Sequence, residues 1–237
     1  ASIKFAKGSD ADLFGTQKSF IKNIGQYGKT ITGYEDMGAV KYGYEGLAMP
    51  VLLTSKGLIH LQRKVEKISH EEEERLERQG VKEEEIERKK NITDRVITME
   101  WINANPDVKI IAEEKETAYH TYGMLPDKAY GYKKIIYKNM YPGIDVVYSF
   151  TQNKKTGFEY SLLVQSGADL TAVKLQYGGD VKSIKTDTKG NLVIQSDIDG
   201  VTSSAPVNYY GERLVNKTVS EVKAEYKIEN NQISFSF

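Results

Sequence analysis

Residues 139–169, NMYPGIDVVYSFTQNKKTGFEYSLLVQSGAD, constrain the fold more than any other stretch of this chain. Ile144, Val146, Tyr148 and Phe150 alternate onto one face, and Phe158, Tyr160, Leu162 and Val164 do the same on the return. Two period-2 runs joined by NKKTG predict a β-hairpin entered through a tight turn. Asp145, Glu159 and Ser161 take the opposite face, which Val147 and Leu163 make partly apolar. A lone hairpin is marginal in water, so this one belongs to a larger sheet.

The remainder is punctuated in the same way. Residues 50–63 read as two short strands about Ser55-Lys56-Gly57, and residues 94–102 as a strand with Ile97, Met99 and Trp101 on one face. A further strand is expected at 108–112, and residues 133–137 lead into the central hairpin. Residues 181–194 form a second hairpin closed at 187–191. Residues 201–210 carry an edge-marking Pro206, and the last two strands turn at Asn230-Asn231. Residues 34–49, rich in Gly and Tyr, are poor helix material, and residues 1–12 read as an arm or first strand. This spacing predicts an all-β, antiparallel, β-sandwich-like fold, divided into two β subdomains at 1–130 and 131–237.

One segment breaks the pattern. SHEEEERLERQGVKEEEIERKK, residues 69–90, opens with the capping box Ser69…Glu72 and carries the i,i+4 pairs Glu71–Arg75, Glu74–Arg78 and Glu84–Arg88. Gly80 interrupts it. The prediction is a short charged helical insertion of two helices, or one kinked helix, with only Leu76, Val81 and Ile86 to bury.

Lys+Arg and Asp+Glu balance at 33 each, so no global field favours nucleic acid or an anionic membrane. The chain has no cysteine, which removes disulfides and thiolate chemistry, and no apolar run approaches the roughly 20 residues of a membrane span. Catalytic motifs are equally scarce. His60, His70 and His120 fall in no metal-ligating spacing, and no nucleophile elbow, Walker loop or dinucleotide fingerprint occurs. Asp145, Asp187, Asp197 and Asp199 are the carboxylates that a hydrolase pair would draw on. Asp197-Ile198-Asp199-Gly200 reads as a turn before a strand rather than a calcium loop, because the remaining ligands are missing. YGYKKIIYKNMY, residues 130–141, interleaves lysines and aromatics, a pattern that strands also produce by alternating outward Lys with inward Tyr or Ile.

Several segments resemble a known family. Phe20-Ile21-Lys22-Asn23-Ile24-Gly25-Gln26 is similar to its F-I-E-N-K-G-Q opening, with Lys22 and Ile24 departing from it. Tyr141-Pro142-Gly143-Ile144-Asp145-Val146-Val147-Tyr148 is similar to its Y-P-G-I-D-L-V-Y centre, and Gly167-Ala168-Asp169 to its later P-G-A-D. This is the N-terminal β-rich domain of unknown function found in large surface proteins of Bacteroidota. The resemblance implies an all-β module exported through type IX secretion, belonging to adhesin-like or gliding-motility systems. It implies other domains of a longer surface protein, or envelope and secretion components, as partners, and brings no catalytic residue.

The expectation is therefore a non-catalytic structural or interaction module, extracellular or at the cell surface after removal of a signal peptide. It needs no cofactor and no metal, and binds no nucleic acid. Sixteen tyrosines supply candidate contacts. Tyr34, Tyr42 and Tyr44 in one segment, and Tyr119, His120, Tyr122, Tyr130 and Tyr132 in another, are the proposed contact surface, because Tyr gives large area at low entropy cost. A carbohydrate-binding module with an aromatic platform for glycans is the alternative, and a carboxylate-dependent hydrolase a more distant one.

Overall fold

The computed structural model describes residues 18–150, 157–209 and 221–236. The chain opens with β1 (Phe20–Lys22), β2 (Val40–Tyr44), β3 (Val51–Thr54), β4 (Gly57–Lys67) and β5 (Lys90–Trp101). There follow β6 (Lys109–His120), β7 (Ala129–Tyr141), β8 (Ile144–Ser149), β9 (Glu159–Val164) and β10 (Leu175–Gly179). These ten, with β16 (Glu225–Glu229) and β17 (Gln232–Ser236), build one 12-stranded sheet in the order β16-β17-β10-β5-β4-β3-β2-β1-β7-β8-β9, with β6 on β7. A second sheet joins β11 (Ser183–Thr186), β12 (Leu192–Gln195) and β13 (Gly200–Ser203), while β14 (Val207–Tyr209) pairs with β15 (Glu221–Lys223). Every pairing is antiparallel. The all-β, sandwich-like expectation holds. The position between residues 130 and 131 lies inside β7, and the large sheet draws strands from both sides of it.

The central hairpin forms where the alternation put it. Ile144, Val146 and Tyr148 are fully buried, and β8 pairs with β9 from Ile144↔Val164 to Ser149↔Glu159. The NKKTG connection lies outside the described residues apart from Gly157. Val164 is exposed rather than buried, because β9 is an outer strand with β8 as its neighbour.

The register around β7 forks the sheet. Tyr132 faces Phe20 of β1 on one edge and Lys115 of β6 on the other, while Lys134 faces Ser149 of β8 and Glu113 of β6. Thus β8 and β1 follow each other along one edge of β7, and β6 takes the opposite edge. Rings of Phe20 and Phe150 fill the junction, 4.5 Å apart.

The strand expected at 108–112 continues to His120, because a register shift between Lys115 and Tyr119 lets β6 keep its pairing with β7. Residues 201–210 divide into β13 and β14 on either side of Pro206, which cannot donate to a ladder.

The main core lies against one face of the sheet, where Leu53, Leu58, Met99 and Tyr177 succeed one another across β3, β4, β5 and β10. Trp101, Leu175 and Ile233 form the next row. Leu192 and Ile194 of the small sheet belong to the same cluster. Buried tyrosines keep their polar ends satisfied. Trp101 Nε1 donates to Tyr148 Oη at 2.8 Å, Tyr137 Oη to the Thr54 carbonyl at 2.6 Å, and Tyr141 Oη to the Ile102 carbonyl at 2.8 Å. A smaller cluster of Tyr27, Ile31, Met37, Val40, Leu52, Ile59 and Leu61 covers the other face.

The charged insertion is helical: α1 (His70–Arg78) and α2 (Glu83–Arg88), separated by Gly80 at φ 79°. Ser69 Oγ caps α1 by accepting from Glu72 N–H, and Leu76 of α1 and Ile86 of α2 are buried. Arg78 pairs with Glu74 as expected, whereas Arg75 takes Glu72 rather than Glu71. The helices cap the far end of a β4–β5 ribbon whose last rungs include the exposed pair Val65↔Ile92. Among the described residues no helix is long and apolar enough to cross a membrane.

Candidate functional site

The end of the large sheet at β1, β6 and β7 carries an open groove of about 660 Å³. Lys22, Ile24, Lys115, Pro126, Asp127, Lys128, Tyr130 and Tyr132 line it. The 121–128 connection between β6 and β7 makes one wall, and β1 with the turn after it makes another.

The turn wall is built by the residues that carried the family resemblance. Asn23 Oδ1 accepts from the Gly25 N–H at 2.9 Å, and Asn23 Nδ2 donates to the carbonyls of Gly28 and Val40. Gln26 Oε1 accepts from Ile24 N–H and Gln26 Nε2 donates to the Lys22 carbonyl at 2.9 Å. Two amide side chains thus fold the backbone on itself, as Asx-type turns do. Gly25, at φ 122°, backs onto Leu125 of the opposite wall.

A carboxylate ties the two walls together. Glu45 Oε1 accepts from Tyr27 Oη at 2.5 Å and from Tyr122 Oη at 3.0 Å. Burial, then the Glu45 charge, pushes both phenols well above their usual range, so each remains a donor.

The groove itself is a lysine–tyrosine lattice. Tyr119 and Tyr130 are cross-strand partners with rings 6.0 Å apart. Lys115 Nζ lies 3.4 Å from the Tyr130 ring centroid, and Lys128 Nζ 4.1 Å from that of Tyr119. Tyr132 meets Tyr42 edge-on at 5.9 Å, and Tyr42 is the cross-strand partner of Lys22.

Of the tyrosines expected at a contact surface, the structure brings Tyr119, Tyr130 and Tyr132 together at this groove, with half-buried Tyr42 behind. Tyr122 serves the Glu45 tie, and His120 stacks on Tyr122 at 6.2 Å. Tyr34 packs instead against the smaller apolar cluster. Tyr44 corrects the expectation: it is 1% exposed, packs among Phe20, Phe150 and Phe158, and accepts from the Gly157 N–H. Lys22, Lys115, Lys128 and Asp127 were not singled out by the sequence. The signal of Lys22 and Lys115 is a lysine facing a tyrosine across a strand pair, which needs the register to be seen, while Lys128 and Asp127 come from the connection before β7.

Of the sequence-flagged carboxylates, Asp145, Asp187 and Asp197 are each occupied by the fold. Burial raises the Asp145 carboxyl, but Lys138 Nζ at 2.6 Å and Asn139 N–H at 2.8 Å overcome this and hold it below the usual range. Asp187 ties its own turn through Asn191, and Asp197 makes a two-pronged pair with Arg95 at 2.6 Å. Pro142-Gly143, with Gly143 at φ 72°, makes the tight turn before β8. Asp169 caps a short 3-10 turn over Leu170–Ala172. His60 lies half-buried on β4, where burial lowers its imidazole to about 4, and His70 opens α1 among glutamates. Among the described residues no three His, Asp or Glu side chains converge as a metal site.

Comparison with known proteins gives one match. The profile described as Domain of unknown function (DUF7948) covers residues 20–237. No curated protein and no solved structure matches the chain.

Proposed function

The chain belongs to the DUF7948 family, and from that premise we propose that it is a non-catalytic interaction module of a secreted or cell-surface bacterial protein. The observation that carries this is the groove. Tyr130, Tyr132, Lys22, Lys115 and Lys128 line it, and Tyr119 stands beside it on the same hairpin. Tyrosine side chains held on rigid strands are the materials of recognition surfaces. The supporting contrast is that Asp145, Asp187 and Asp197 are each committed to fixed structural partners. Export, adhesion and a place beside other domains of a longer surface protein are part of this proposal, supported by the resemblance of residues 20–26 and 141–148 to such modules.

The test is retention of the purified, fluorescently labelled chain on intact cells or isolated envelopes. Wild type is retained, and the pair Lys115→Gln with Tyr132→Ala lowers retention while circular dichroism and melting stay native. Equal retention of both proteins removes the groove as the contact surface.

A further inference from the structure

We infer that the groove takes an acidic polysaccharide, a chain of uronate or sulfated sugars, rather than a neutral glycan. The inference rests on the proposal that the groove is the contact surface. A neutral sugar stacks on a bare aromatic face. Here the face of Tyr130 carries the Lys115 ammonium and that of Tyr119 the Lys128 ammonium. The ring quadrupole holds each cation without neutralising it. Among the described residues Lys22, Lys115 and Lys128 form no ion pair, whereas neighbouring Lys133 and Lys134 are paired to Glu116, Glu113 and Glu114. The strands thus separate structural lysines from lysines whose charge is left for a ligand.

Pre-positioning matters, because a lysine already resting on a ring loses less side-chain freedom when an anion arrives. Each ammonium has N–H donors left to give to a carboxylate or sulfate. Asp127 on the wall accepts from hydroxyl groups, which an acidic sugar supplies beside its charge. Nucleic acid fits less well. Its affinity grows with the number of phosphates neutralised, and three lysines beside an aspartate on a chain of zero net charge offer few.

The experiment titrates the full chain with polygalacturonate, alginate and chondroitin sulfate, and with fully methyl-esterified polygalacturonate as the neutral counterpart. Binding to at least one acidic polymer is expected, with about tenfold or greater loss on esterification or in Lys115→Gln with Lys128→Gln. Raising the salt should weaken it further. The native melting temperature of the double variant is checked alongside. Equal binding to acid and ester, no loss in the double variant, or no binding to any acidic polymer overturns the inference. In that last case groove-dependent envelope retention still separates a wrong ligand class from a wrong contact surface.

Discussion

The ring of Tyr27 occupies the space that a side chain at Gly43 would need: a Cβ there would lie 2.4 Å from Tyr27 Cζ. Gly43 is on β2, paired with Ile21 of β1 and Leu52 of β3, so the ring lies directly on the ladder. This contact seats the smaller apolar cluster and holds the Tyr27 hydroxyl against Glu45. Gly43 is not at positive φ, so the requirement is one of space.

Gly43→Ala should therefore lower stability by about 1–3 kcal/mol through overpacking. Denaturant titration measures it. Combining it with Tyr27→Leu should cost less than the sum of the two changes, since the smaller residue vacates the contested volume. Strict additivity would show that the two residues do not compete.

Tyr148→Phe removes the acceptor of the Trp101 indole N–H, and both side chains are buried. The orphaned donor should cost about 1–3 kcal/mol in chemical unfolding, more than deletion of an exposed hydroxyl. The Trp101 fluorescence band should also shift, which follows from it being the chain's one tryptophan. A neutral, spectrally silent variant contradicts the bond.

Asp145→Asn keeps an acceptor for Asn139 N–H but loses the charge opposite Lys138. The expected loss is on the order of 1–2 kcal/mol at neutral pH. Because the folded carboxyl titrates below its usual value of 3.8, its contribution is present above that pH and fades as pH falls further. The variant should lack this part of the acid limb, read from melting temperatures between pH 5 and pH 2.5.

His60 acts in a different window. Its imidazole falls from 6.5 to about 4 on folding, so the unfolded chain binds the extra proton between those values. Stability should be complete above about pH 6.5 and decline toward pH 4, by an amount on the order of 3 kcal/mol. His60→Gln should flatten that slope, and an unchanged slope rules His60 out as its source.

Alternation and turn chemistry made the strands legible. The faces of Ile144, Val146 and Tyr148, the Gly143 turn and the Ser69 cap followed from local pattern. What local pattern could not separate was a buried tyrosine from a surface one. Tyr42 and Tyr44 share a strand and a period, yet Tyr44 sinks because Phe20, Phe150 and Phe158 close over it. The groove was hidden for a related reason. Lys22 and Lys115 are far apart in sequence and meet only because β7 accepts β1 on one edge and β6 on the other. Asp197 is likewise claimed by Arg95, which lies on a distant strand and meets it only in the fold.

Among the described residues, the three residues of β1 are the only ladder between β2 and β7. Ile21 must wait for Gly131, so a growing chain makes its β2–β5 meander long before it can shut this seam. Such late, distant closure slows folding. Until it happens, Phe20 lacks Phe150 and Phe158 and the free edge of β1 is a template for another strand, which makes the interval before residue 132 is available the time when this chain is most exposed to misassembly.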